Sequence, residues 1–290
     1  MPCDSPIWIN RAGKDFPVPC GTCAPCKIRR VNEWVFRLTW EEERHSLSSH
    51  FVTLTYDTMH VPISPHGFMT LNKKDFQDYM KRLRKLHASV KPDWPPIKYY
   101  AVGEYGDKNR RPHYHAIIFN VSDDSYFADA WTLNGSQIGG VFVGTCTTDS
   151  IAYCMKYIDK QSFRSVNSRH RHRRDDRVLE FSVMSKRLGA SYFEDPAIRH
   201  YHVTDLSRNY LTKRSGHKIA LPRYYRVHLY NKLQLEEQRE IIEIACNEKL
   251  QQEMYLHEGL YPHIDFHEKK AAQKEGRQIK FHSRTKQRHL

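Results

Sequence analysis

RPHYHAIIF, residues 111–119, sets two histidines one residue apart and runs straight into an apolar stretch. Its β-branched and aromatic content reads as a strand, along which side chains alternate between two faces. His113 and His115 then share one face, their bases roughly 7 Å apart, while Tyr114 points to the other. Upstream, IKYYAVGEYG (97–106) has the same strand character, and DKNRR (107–111) is a short polar connection suited to a hairpin. Glu104, on the neighbouring strand of that hairpin, can face the two imidazoles. Two histidines and a carboxylate make an open site for a divalent cation, with positions left for water or substrate. A solvent-facing histidine pair is the plain alternative.

Outward from the hairpin, HFVTLTYD (50–57) reads as a strand ending in turn chemistry, with Asp57 closing the turn. In LNKKDFQDYMKRLRKLHASV (71–90), Asn72 is placed to cap a helix whose buried stripe is Phe76, Met80, Leu83 and Leu86 and whose outside is basic. A short helix around 126–131, a strand GVFVG (140–144) and a helix opened by Thr148 and Asp149 follow. This order predicts an α+β fold: a central antiparallel sheet flanked by helices, carried on one side.

The last of those helices contains AYCMKYIDK (152–160), in which Tyr153 and Tyr157 share a face, about 6 Å apart along the axis. Lys156 and Lys160 lie close to that face. Taken alone, Y-x-x-x-Y is the pattern of two core tyrosines. Beside a cation site it has a second meaning. A cation that polarises a phosphate, a tyrosine that attacks it and lysines that attract it form a complete phosphoryl-transfer site.

Composition points to the same chemistry. The 290 residues carry a formal net charge of +13, and the Lys and Arg are interleaved with 17 Tyr, 13 Phe and 5 Trp. Phosphates take such charge and exposed bases stack on such rings, so nucleic acid is the favoured partner, with a merely basic solubility surface as the alternative. Apolar runs are only a few residues long, too short for a membrane span, and the N-terminus has no signal-like pattern; an intracellular protein with no membrane partner is expected.

Cysteine placement sets the N-terminal region apart. PCGTCAPCKIRR (19–30) has Cys20, Cys23 and Cys26 at C-x-x-C-x-x-C spacing, and Cys3 is a candidate fourth ligand for a structural zinc. The customary second C-x-x-C pair is missing, so reduced, metal-free thiols are the other reading. Ile28, Val31, Val35 and Leu38 then recur at helical spacing, with Arg29, Arg30 and Arg37 outside the stripe, giving an amphipathic helix with a basic face. Four regions are expected: 1–45, the cysteine cluster and basic helix packed on the core; 46–165, the core; 166–268, a basic loop and helical extension; and 269–290, a basic flexible tail. The extension contains RHRHRRDDR (169–177), either a solvated loop or a grip on a DNA backbone, and a Glu-rich helix from Leu233 to about Leu256 with Leu235, Ile241, Ile242, Ala245 and Leu250 on its apolar side.

In this order, TLTYD (53–57), GEYGDKNRRPHYHAIIF (103–119) and YCMKYIDK (153–160) resemble the three motifs of HUH-class rolling-circle replication initiators. The resemblance covers roughly residues 50–160. The cysteine-rich opening and the paired tyrosines are most similar to the initiators of gokushovirus-type microviruses, single-stranded DNA bacteriophages. Relaxases of the class usually place their tyrosine before the histidines, so the order here favours an initiator. Tyr114 departs from the motif, which has an apolar residue in the middle; an aromatic serves the same inward packing.

The resemblance implies an HUH endonuclease core, related to the ferredoxin-like and RNA-recognition folds, with the histidine strand central. It implies that His113, His115 and Glu104 hold Mg or Mn, and that Tyr153 or Tyr157 attacks a phosphate at the phage origin to leave a 5′-phosphotyrosine and a 3′-hydroxyl for the host DNA polymerase. The second tyrosine would cut the regenerated origin and the strand would be rejoined. Lys156 would steady the phosphate or tyrosinate, or is an ordinary exposed lysine. Such a protein works on single-stranded or melted origin DNA in the host bacterial cytoplasm. No G-x-x-x-x-G-K-[ST] loop is present, so a host helicase is expected to separate the strands. A transposase or relaxase of the same class, and a zinc-stabilised DNA-binding protein without catalysis, are the competing readings.

Overall fold

A computed structural model describes residues 3–11, 13–147, 149–155, 175–213 and 216–287. In chain order the elements are β1 (Ile7–Arg11), β2 (Lys14–Val18), α1 (Ala24–His45), β3 (Ser49–Thr55), α2 (Lys73–Val90), β4 (Lys98–Tyr105), β5 (Pro112–Phe119), α3 (Ser125–Ala130), β6 (Thr132–Leu133), β7 (Ser136–Gln137) and β8 (Val141–Thr145). There follow α4, helical over its described residues 149–155, then β9 (Phe181–Met184), α5 (Ser191–Glu194), α6 (Pro196–Val203), β10 (Tyr210–Thr212), β11 (Lys218–Ala220), α7 (Arg223–Leu229), α8 (Lys232–Leu260) and α9 (Phe266–Gln287). Two compact units result, Trp34–Ser191 and Met1–Glu33 with Tyr192–Leu290. This division falls inside α1 and at the start of α5.

The first unit is built on a five-stranded antiparallel sheet of order β8-β3-β5-β4-β9, with the histidine strand β5 in the middle. The α+β class and the central place of that strand agree with the sequence reading and with an HUH endonuclease fold. Nearly every residue of β5 is buried, on both faces, so both faces of the sheet need cover. On one face, Val52, Leu54, Tyr114, Ala116 and Ile118 pack with Phe76, Tyr79, Met80 and Leu83 of α2 and with Phe127 of α3. Asn72 caps α2 as its sequence predicts, its side chain accepting from the Lys74 N–H.

Helices therefore lie on both sides, not one. On the histidine face, Trp34 of α1 packs on Tyr100 with ring centroids 4.8 Å apart, and Glu41 of α1 pairs with Lys98 at 2.6 Å. Arg37, expected on the basic outer face, is buried: its guanidinium donates to the Leu188 carbonyl at 2.9 and 3.2 Å and stacks over Trp34. A planar cation satisfied by a carbonyl and an aromatic face is a packing element, and periodicity alone cannot tell it from a DNA-facing one. Where β3 ends, Gly139 lies so close that a Cβ there would stand 1.9 Å from the Thr55 carbonyl oxygen, and the Trp131 indole N–H donates to that oxygen at 2.8 Å.

In the second unit β1 pairs with β2 and β10 with β11. The Glu-rich helix is present as α8, capped by a reciprocal Asn231 and Gln234 box, but Ile244 and Leu250 on it stay exposed. The region read as a flexible tail is largely the helix α9. Among the described residues, no helix is long and apolar enough to cross a membrane.

Candidate active site

The β4–β5 connection sets the register of the site. Gly106 N–H donates to the Arg111 carbonyl and Arg110 N–H to the Gly106 carbonyl, both at 3.0 Å, with Arg110 in the left-handed region at φ 52°. That turn places Glu104 directly opposite His113. Across the other edge of β5, Thr53 is opposite His115 and Thr55 opposite His113. Because cross-strand partners share a face, one patch of sheet carries Glu104, His113, His115 and Thr53.

His113 Nε2 lies 2.6 Å and His115 Nε2 3.3 Å from the same oxygen, Glu104 Oε1. All three ligand atoms fall within 4.8 Å of one another. Glu104 is 4% exposed, and its Oε2 has no hydrogen-bond partner among the described residues. A second buried carboxylate makes the contrast plain: Glu41 gives one oxygen to Lys98 and the other to the Gly189 N–H at 2.8 Å. An orphaned buried carboxylate oxygen costs free energy unless a proton or cation meets it.

The far side of each ring sharpens that demand. His113 Nδ1 is 3.2 Å from the Arg111 carbonyl, which can only accept, so Nδ1 carries a proton. A neutral His113 would then aim the Nε2 lone pair at a carboxylate oxygen. Either a second proton or a cation has to sit between them. His115 Nδ1 is paired with the Thr53 hydroxyl at 2.9 Å, which likewise directs Nε2 inward. Burial pushes the Glu104 carboxyl up, but the hydrogen bonds and charges of the two histidines outweigh it and leave the group below its ordinary value. The residues fit a divalent cation: two borderline nitrogens, one hard oxygen and an incomplete coordination shell.

Tyr153, on α4, stands beside this set. Its ring is 5.4 Å from that of His115 and 6.1 Å from that of Phe51, both edge-on, and 37% of the residue is exposed. Phe51 also stacks on His115 at 5.6 Å, so one imidazole is held by a hydroxyl, a ring and the tyrosine. Lys156, Tyr157 and Lys160, together with most of the 169–177 cluster, lie outside the described residues. Asp57 does close its turn, accepting from the backbone N–H groups of Met59 and His60 and pairing with the His60 ring at 2.8 Å. Thr53 and Phe51 were not singled out from the sequence; the signal was their place in the strand preceding TYD, alternating in step with the histidine strand.

On the other face, the Tyr114 hydroxyl donates to the Asn72 carbonyl at 2.7 Å, accepts from the Asn72 N–H at 3.1 Å and meets the Tyr56 hydroxyl at 2.9 Å. The departure from an apolar middle residue is thus fully paired. In the other unit, Cys3, Cys20, Cys23 and Cys26 do converge, with their sulfurs within 4.8 Å of one another and all four cysteines free.

Residues 49–162 match the family model described as replication-associated protein ORF2/G2P. The match takes in all three motifs, including the residues outside the described set. The chain is similar over 231 residues, at 29% identity, to replication-associated protein VP4 of Bdellovibrio phage phiMH2K, covering 75% of this chain and 69% of the relative. It is 26% identical over 224 residues to replication-associated protein ORF2 of Spiroplasma virus 4, covering 72% of this chain and 66% of the relative. It is 28% identical over 236 residues to replication-associated protein ORF4 of Chlamydia phage 1, covering 73% of this chain and 53% of that relative. These similarities extend well beyond the ORF2/G2P segment, into both units. No solved structure matches the chain.

Proposed function

We propose that the chain is a phage replication initiator that nicks one DNA strand at an origin through a phosphotyrosine and later rejoins it. One observation carries the reading: Glu104, His113 and His115 aim their ligand atoms at one place in the middle of the sheet, and the Tyr153 ring stands 5.4 Å from that of His115. The replication-associated relatives and the net charge of +13 supply the setting.

Glu104, His113 and His115 would hold Mg or Mn, which supplies positive charge at the scissile phosphate and the departing 3′-oxygen. Tyr153 attacks phosphorus through its phenolic oxygen. The bond from phosphorus to the 3′-oxygen breaks, the phenolic proton is released, and the 3′-oxygen leaves as a hydroxyl that a host polymerase extends. The 5′-phosphotyrosine retains the energy of the broken bond, so rejoining needs no separate energy source. Tyr157, four residues further along the sequence, cuts the regenerated origin, and the 3′-hydroxyl released there attacks the first phosphotyrosine to close a circle. Lys156 steadies the phosphate or the tyrosinate. The substrate is single-stranded or melted DNA, strand separation is left to a host helicase, and the reaction takes place in the host bacterial cytoplasm.

The test is a denaturing gel of full-length protein with labelled single-stranded origin DNA, in Mn or EDTA, comparing wild type with Tyr153→Phe, Tyr157→Phe and the double variant. The expected result is a metal-dependent covalent band lost in the double variant. Tight binding without a covalent band in wild type would instead identify a DNA-binding protein without catalysis.

A further inference from the structure

Among the described residues, the second convergence of ligand atoms is the set Cys3, Cys20, Cys23 and Cys26. A zinc ion with four sulfurs at about 2.3 Å in a tetrahedron sets those sulfurs about 3.8 Å from one another. Cys3 Sγ and Cys23 Sγ stand 3.7 Å apart, and no pair among the four exceeds 4.8 Å. Cys23 and Cys26 are buried, and no disulfide joins any of the four. Sequence spacing lacks a second C-x-x-C pair; folding provides the missing ligand from the other end of a hairpin.

Hydrogen-bond donors reach two of the sulfurs. The Cys20 N–H donates to Cys3 Sγ at 3.3 Å and the Cys23 N–H to Cys20 Sγ at 3.4 Å, while the Thr22 hydroxyl lies 3.5 Å from Cys20 Sγ. Such second contacts orient ligand sulfurs and spread their charge. Cys26 sits in the first turn of α1, so the helix start fixes the position of its sulfur. Arg30 reaches back to the Gly21 carbonyl at 3.4 Å, across a turn that Gly21 makes at φ +77°, and so brings a cation to the edge of the cluster.

The chain between Cys3 and Cys20 is the β1–β2 ribbon, with Ile7, Trp8 and Phe16 exposed. A two-stranded ribbon with so little burial is marginal in water on its own. The cysteine cluster ties both of its ends.

We propose that Cys3, Cys20, Cys23 and Cys26 bind one Zn²⁺ as a tetrathiolate, and that this ion clamps the base of the β1–β2 hairpin to the start of α1. Binding replaces four S–H bonds by four Zn–S bonds and releases the protons to solvent. With four protein sulfurs the coordination shell is closed, so the ion is structural and distinct from the open site on the sheet.

The test is metal analysis of full-length protein purified without chelator, on wild type, Cys3→Ser, Cys26→Ser and the pair His113→Ala with His115→Ala. About one zinc per chain is expected in wild type and in the histidine variant, and a large loss in each serine variant. Because a serine variant can lose zinc by failing to fold, wild type is also treated with a mercurial, which should release zinc in step with thiol titration, and reloaded with Co²⁺, which should give the visible bands and sulfur-to-metal charge transfer of tetrahedral thiolate coordination. Zinc removal should also speed tryptic cleavage after Arg11 or Lys14 in the ribbon. Wild type that carries no zinc and gives no such cobalt spectrum overturns the proposal, as does zinc kept by the serine variants and lost with the histidines.

Discussion

The two faces of β5 treat their polar groups in opposite ways. On one, His113 and His115 crowd a buried carboxylate that keeps one oxygen without a hydrogen-bond partner. On the other, Tyr114 presents a hydroxyl that both donates to and accepts from the Asn72 backbone, locking the sheet to the cap of α2. Both arrangements come from three consecutive residues, because the strand sends alternate side chains to opposite sides. The difference teaches how a rigid site is made: one face satisfies all its polar groups and fixes the backbone, and that rigidity lets the next face hold ligands whose charges are left for a cation to complete.

The sharpest way to break this contrast is Glu104→Gln. Covalent adduct formation in Mn should fall about a thousandfold or more, the equivalent of the several kcal/mol that a bound Lewis acid supplies. A gel time course reads the loss, while circular dichroism should report an intact fold. Thr53→Val comes next. It removes the partner of His115 Nδ1 and keeps the shape, so Mn affinity measured by calorimetry should weaken about 10- to 100-fold. Unchanged affinity would mean that the ring is held by Phe51 and Tyr153 alone.

Tyr114→Phe probes the opposite face. Leaving the Asn72 backbone groups unpaired should lower stability by about 1–3 kcal/mol in urea unfolding, with Mn affinity unaltered once folded. The smallest effects are those of pH. The Glu104 carboxyl, held below its ordinary value, adds stability that is present above the unfolded value and lost as pH falls through the folded one. Burial raises the Tyr114 hydroxyl, so its contribution is present in neutral solution and lost as pH rises past the unfolded tyrosine range. Metal-free unfolding curves should therefore show Glu104→Gln approaching wild type in acid and Tyr114→Phe approaching it in alkali.

Much of this site could be read in advance because it rests on short-range rules. Alternation put both histidines on one side, and the polar DKNRR connection implied a hairpin that brings Glu104 near. Asn72 before an amphipathic run announced a helix start. Other parts depend on contacts far apart in sequence. Nothing local in Phe181–Met184 says that it adds an edge strand beside β4, since the run is short and half-exposed. The ribbon β1–β2 carries Pro17, a residue that argues against a strand, and covers little apolar surface. Arg37 carries the same charge whether it faces solvent or the Leu188 carbonyl. Helix α9 has a polar composition that reads equally as a mobile tail.

The most direct measurement is mass spectrometry of the Mn-dependent adduct after nuclease and trypsin digestion. Cleavage after Lys156 leaves Tyr153 and Tyr157 on separate peptides, so the nucleotide-bearing tyrosine is named without mutation. The account predicts a 5′-phosphonucleotide on Tyr153, dependent on Glu104 and both histidines. An adduct confined to any other residue, or one that forms equally in EDTA, would contradict it.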